Sequence, residues 1–175
     1  MIDYGFVPAS MDGLDTLEAE VIVLPFFSDE RPLVGAAGFA DWRLCGALSR
    51  KLMASYLDGH FGEKGWIASP GKLNARSILL FGLGPRDSFD GERAESACTL
   101  IADALDRAKV TTAAIALPGR SLDLLPPLEA MRIWLDAQPT DGKLEEVTII
   151  ERAEEHRSLI ALFDGLRRQS ESPLA

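Results

Sequence analysis

Two hydrophobic rhythms run along the chain: short unbroken apolar stretches, and stripes in which apolar residues return every third or fourth position. The segment Leu17–Phe27 ends in VIVLPFF, too continuously apolar for a strand with one wet face. Such a run suits a central strand covered on both sides. Ile2–Val7, Arg76–Gly82, Thr112–Leu117 and Glu146–Ile150 read as further strands, and Gly62–Pro70 as a turn with a short strand. The stripe Trp42, Cys45, Leu48, Leu52 and Tyr56 predicts one amphipathic helix after Gly35–Gly38, with Asp41 near its start to accept free N–H groups. Gly91–Ala108 is the clearest helix, burying Ala94, Ala97, Ile101, Ala104, Leu105 and Ala108. Pro126 and Pro127 suit the first turn of a helix reaching Ala137, because early helical N–H groups lack partners anyway. Ala153–Arg168 predicts a last helix with Leu159, Ile160, Phe163 and Leu166 inward, and Met11–Leu14 reads as a turn.

Strands alternating with helices imply βαβ crossovers, hence a three-layer α/β fold with a mixed, mostly parallel sheet flanked by helices. The chain shows no tandem repeat or low-complexity linker, so residues 1–168 form one domain, and the polar 169–175 (QSESPLA) a flexible tail.

Charge narrows the partners. Eighteen Lys and Arg face 27 Asp and Glu, a net charge of −9. That field repels polyanions, so neither nucleic acid nor an anionic membrane is an expected partner. The longest apolar run, Val21–Phe27, falls far short of the roughly 20 residues that span a bilayer. Met1–Ser10 has an early Asp and no apolar core, so the expected compartment is the cytoplasm. Cys45 and Cys98 sit on apolar positions of predicted helices and read as reduced core thiols.

Several features occur in a telling order. An apolar strand precedes a loop and the turn Leu33-Val34-Gly35. Then comes a helix carrying Asp41 and Cys45-Gly46-Ala47-Leu48-Ser49, and later Leu80-Phe81-Gly82-Leu83-Gly84 before an alanine-rich helix. From Ile2 to about Ile150 this order resembles the amino-terminal domain of the leucyl aminopeptidase family. The resemblance implies a macrodomain-like fold. It also implies that the peptidase chemistry belongs to a separate carboxy-terminal domain, with a two-metal centre of Lys, Asp and Glu in motifs such as Asn-Thr-Asp-Ala-Glu-Gly-Arg. Here Phe89-Asp90-Gly91-Glu92-Arg93 holds similar letters in the wrong order. No catalytic residue, metal ligand or cofactor is therefore expected, and no peptidase activity. Macrodomains that read ADP-ribose follow the central strand with Asn-Ala-Ala-Asn. On the same strand this chain has Leu24-Pro25-Phe26-Phe27, which lacks both amides and places Phe26 or Phe27 to plug the pocket.

Two turns are the candidate anion or ligand sites. Gly35, Ala36, Ala37 and Gly38 lead into a helix, where N–H groups and the dipole favour an anion. Gly82, Gly84 and Arg86 follow a strand end, the usual ligand side of an α/β sheet, although Asp87 breaks the dinucleotide-binding glycine pattern. The plainer reading of either turn is a tight structural bend. His60 and His156 read as surface residues, Asp29-Glu30 and Glu145-Glu146 as solvated charges, and Ser49 and Ser121 lack a nucleophile's setting. Trp42, Trp66 and Trp134 read as packed in the core or against a partner. The expected function is a noncatalytic binding or assembly module that self-associates or holds a protein partner. The alternative is a nucleotide or ADP-ribose-like ligand reader using a small-molecule pocket between the two turns.

Overall fold

The computed structural model describes residues 2–69 and 71–171. Six strands form one sheet: β1 (Asp3–Pro8), β2 (Ala19–Phe26), β3 (Lys64–Ala68), β4 (Ala75–Gly82), β5 (Thr112–Ile115) and β6 (Glu146–Glu151). Their order is β1-β6-β5-β2-β4-β3, with every neighbouring pair parallel except β3 against β4. The helices are α1 (Met11–Asp15), α2 (Gly35–Arg43), α3 (Ala47–Met53), α4 (Gly91–Arg107), α5 (Pro127–Asp136) and α6 (His156–Glu171). This is the expected three-layer arrangement.

Side chains alternate across a strand, so each interior strand feeds two cores. From β2, Val21 and Val23 join Leu79 and Phe81 of β4 beneath α4, α5 and Leu159 of α6. Ile22, Leu24 and Phe26 join Ile78 and Leu80 on the other face, against α1, α2 and α3. The small side chains of Ala94, Ala97, Cys98 and Ala102 let α4 lie close to the sheet, while Trp134 of α5 fills the same core and is wholly buried.

Several sequence expectations change. Met11–Leu14 is a short helix, started by the Ser10 hydroxyl accepting the Gly13 N–H at 3.0 Å. The single helix after Gly35 is two, because the chain turns left-handed at Cys45 and Gly46. That break destroys the apolar stripe: Leu48 and Leu52 are buried, while Trp42, Cys45 and Tyr56 are exposed. Asp41 sits near the end of α2, not at its start. Its carboxylate accepts the Leu48 and Ser49 N–H groups at 2.8 and 3.0 Å and the Ser49 hydroxyl at 2.5 Å, so it starts α3. Ala108 lies past the end of α4 and is exposed. Ile160 and Leu166 face outward from α6, where Leu159 is fully buried and Phe163 packs on Tyr4 and Phe6. The last helix also passes Arg168 and continues through Glu171; residues 172–175 of the expected tail lie outside the described residues.

Replacing Asp41 by Ala removes the start of α3 and is expected to lower stability by about 1 kcal/mol, with a smaller loss for Asp41→Asn. Urea unfolding of the two variants against wild type checks this.

Candidate functional site

Where parallel strands end, their terminal carbonyls and following loops leave a crevice, and here it opens beside the first turn of α2. The cavity encloses about 250 Å³. Pro25 of β2, Ala116 and Leu117 after β5, Ile150 and Glu151 of β6, and the Gly35–Ala37 turn line it. Gly35 adopts φ +58° with Ser121 against it, a conformation and closeness that favour glycine. A Cβ at Gly38 would press on the Leu33 carbonyl, so this glycine serves packing.

The two candidate turns do not share this cavity. Gly82 and Gly84 pack against the Gly59–Glu63 turn: the Gly84 N–H donates to the Gly59 carbonyl at 2.9 Å, and a Cβ at Gly82 would overlap the His60 carbonyl. Arg86 is already engaged. Its backbone N–H and Nε donate to the Asp29 carboxylate at 3.1 and 3.0 Å, and its Nη2 donates to the Asp29 carbonyl at 3.0 Å. The second turn is therefore a packing corner. Phe26 and Phe27 do not plug the crevice either; both are fully buried, on opposite faces of the sheet, and of this segment Pro25 lines the cavity.

Charge inside the crevice is balanced by the protein itself. Arg120 and Glu151, both buried, form a two-point pair: Arg120 Nε and Nη2 donate to the Glu151 carboxylate at 2.7 and 3.1 Å. Arg120 Nη1 donates to Asp123 at 2.9 Å and to the Leu125 carbonyl at 2.6 Å. Burial works to lower the Arg120 pKa, but the Glu151 and Asp123 carboxylates outweigh it and hold it above its ordinary value. Arg152 closes the network by donating to Asp123 at 2.6 and 3.0 Å.

Glu30 departs most sharply from the sequence expectation. Instead of being solvated it is buried, accepting the Phe27 N–H and the Val34 N–H at 3.1 Å each and the Ser121 hydroxyl at 3.3 Å. Val34 is the residue from which α2 starts, so a carboxylate of the chain already sits where an anion would be drawn. Burial pushes the Glu30 pKa up, and the three hydrogen bonds restrain the rise.

The other candidates scatter. His60 is exposed; His156 is half-buried, with its ring on Phe6 and its Nε2 2.8 Å from the Glu151 carbonyl. Ser49 belongs to the start of α3. Glu145 and Glu146 are exposed as expected. Cys98 is buried and its thiol is pushed up to about 12. Cys45 is not a core thiol: it is exposed, and Lys72 Nζ 3.0 Å from its Sγ lowers its pKa. Of the tryptophans only Trp134 is a core residue. Among the described residues no group of three or more His, Cys, Asp or Glu is arranged to hold a metal ion, and no helix is long and apolar enough to cross a membrane.

The N-terminal domain of the cytosol aminopeptidase family matches residues 23–130, more than half of the chain. The chain belongs to that family. A probable cytosol aminopeptidase of Burkholderia orbicola is 31% identical over 111 residues, covering 63% of this chain but only 22% of the relative. Tomato leucine aminopeptidase superposes with a TM-score of 0.63 at 18% identity, over 91% of this chain and 35% of that one. The macrodomain of Trypanosoma brucei, solved in complex with ADP-ribose, superposes with a TM-score of 0.67 at 16% identity, over 89% of this chain and 66% of that one. The solved structures establish the macrodomain-like fold. This aminopeptidase N-terminal domain thus spans a minor part of its peptidase relatives.

Arg120 and Glu151 escaped the sequence reading, and Glu30 entered it as a solvated charge. The available signals were an arginine in the Pro118-Gly119-Arg120-Ser121 turn just after a buried strand, and a glutamate closing the apolar run of β6. Arg120→Met alone is expected to cost about 3–5 kcal/mol, because it strands a buried Glu151 carboxylate, and adding Glu151→Leu should recover most of it. Urea unfolding of the single and double variants measures this. Glu30 gives a pH signature of fixed sign. Its pKa is raised on folding, so its stabilising contribution is full below the ordinary value of 4.5 and is lost as pH rises through the folded value. The stability gap between wild type and Glu30→Gln should therefore narrow as pH climbs above 4.5, read from unfolding curves at a series of pH values.

Proposed function

We propose that the chain is a noncatalytic binding or assembly module. One contrast supports this reading. The charged side chains of the strand-end crevice are paired with one another, while large uncovered apolar side chains stand on the outer helices. Trp42 and Met53 are 73% and 80% exposed, and Tyr56 follows on the same α2–α3 segment. Large apolar side chains left in water favour a covering surface. A crevice of about 250 Å³ also falls below the roughly 300–1,000 Å³ of small-molecule sites.

The ligand-reader alternative draws on a different observation. The first N–H groups of a helix have no partner within it, and Gly35, Ala36 and Ala37 of α2 border the crevice. The T. brucei relative holds ADP-ribose on the same fold. Against it stand Glu30, which repels an anion at this helix end, and the amides missing at Leu24 and Phe27.

Sedimentation across low to high micromolar protein separates the two. The module reading expects a mass that rises with concentration and returns to monomer in the Trp42→Ser, Met53→Ser double variant with its circular dichroism unchanged. A strict monomer whose melting temperature climbs saturably with ADP-ribose, and loses that climb in Gly35→Val, would instead establish the reader.

A further inference from the structure

The sheet ends at β3, whose outer edge has no neighbouring strand among the described residues. Its register identifies the peptide groups on that edge. The Ser69 N–H donates to the Arg76 carbonyl and the Gly82 N–H to the Glu63 carbonyl, so odd-numbered residues are the hydrogen-bonded partners of β4. In an antiparallel ladder the alternate residues turn their N–H and C=O groups away from the partner. Lys64, Trp66 and Ala68 therefore present theirs at the free edge. No proline interrupts β3.

Beside this edge lies a groove of about 380 Å³ between β3 and α4. Lys64 and Trp66, which share a strand face, form one wall; Leu100, Ala104 and Ala108, at four-residue spacing, form the other. Eight helical residues span about 12 Å, the length of three or four residues of extended chain. Trp66 remains 40% exposed and Leu100 half-buried, so the walls are apolar and open.

Charge decides the occupant. The groove carries Lys64 and Arg107 against Asp103, a cationic excess on a chain of net charge −9. Neither cation is bound into a buried ion pair: Lys64 Nζ donates to the Gly62 carbonyl at 3.3 Å and lies 5.7 Å from the Phe81 ring centroid, and the Arg107 side chain, 3.8 Å from Asp103, is 83% exposed. A second copy pairing through its own β3 would gather the lysines and arginines of both copies along one seam.

We propose that this groove docks an extended, acidic segment of a partner protein, which adds a strand to β3 and sets an aliphatic side chain against Trp66 and Leu100, with flanking carboxylates toward Lys64 and Arg107. Backbone hydrogen bonds supply affinity in this mode, and the groove supplies selectivity. The assignment rests on the binding-module reading and names the partner chemistry of one surface.

The test is selection of a random phage-displayed peptide library on the full chain, followed by anisotropy titration of the enriched peptides. Enriched sequences should place an aliphatic residue between acidic ones. Their affinity should fall about tenfold or more on alternate backbone N-methylation, and likewise in Ala108→Glu, an exposed position whose change leaves the fold intact while adding a repelling carboxylate. Trp66→Glu should act in the same direction. No enrichment, or peptides indifferent to N-methylation and to both substitutions, overturns the proposal; concentration-dependent mass persisting in that case leaves the module reading standing. Self-association abolished by Ala108→Glu would assign the groove to a second copy and equally overturn it.

Discussion

Burial of β2 on both faces is the constraint on which the rest of the molecule depends. The strand lies inside the sheet, parallel to β4 and β5, and its side chains enter both cores. A strand with no wet side needs a helical layer above and below, and parallel neighbours need crossovers long enough to supply those layers. The alanines of α4, the aromatic bulk of Trp134 and the left-handed break that lets both α2 and α3 reach the same core all serve that coverage. The strand-end crevice follows from it as well, since parallel strands bring their carboxyl ends to one side.

That crevice is polar but self-satisfied. A buried ion pair persists only when its remaining donors and acceptors find partners, and Arg120 finds Glu151, Asp123 and the Leu125 carbonyl. Glu30 likewise finds the N–H groups of Phe27 and of Val34, the residue just before α2. The side chains that tie the loops together thereby occupy the positions from which an anion would be recognised. The binding role proposed above therefore looks outward, to the exposed apolar side chains of the α2–α3 segment and to the groove along β3.

The strands were legible in the sequence nearly to their ends because apolar runs report burial on both faces. Helix existence was legible too, with α4 and α5 placed to within a residue or two. The stripe through Trp42 and Tyr56 misled because three-to-four spacing assumes a continuous helix, and the left-handed residues at Cys45 and Gly46 reset the phase. Asp41 shows the same limit: its chemistry, accepting helical N–H groups, was readable, but the helix it serves was not. Of the two candidate turns, the Gly35–Ala37 turn borders the crevice and the Gly82–Arg86 turn does not, a difference set by tertiary packing.

By itself the sequence determined the layered α/β class, the family membership carried by the order of its turns, and the acidity that disfavours polyanion partners. Those properties are local or additive: periodicity, spacing and a sum of charges. Tertiary structure alone decided that Glu30 and Arg120 are buried, that Arg86 is tied to Asp29, and that Lys64, Trp66 and Arg107 share a groove. Each of these depends on which residues distant in the chain the sheet order brings together, 31 positions apart for Arg120 and Glu151 and 91 for Glu30 and Ser121. Desolvation and pairing act through space, and the sheet order β1-β6-β5-β2-β4-β3 sets those distances.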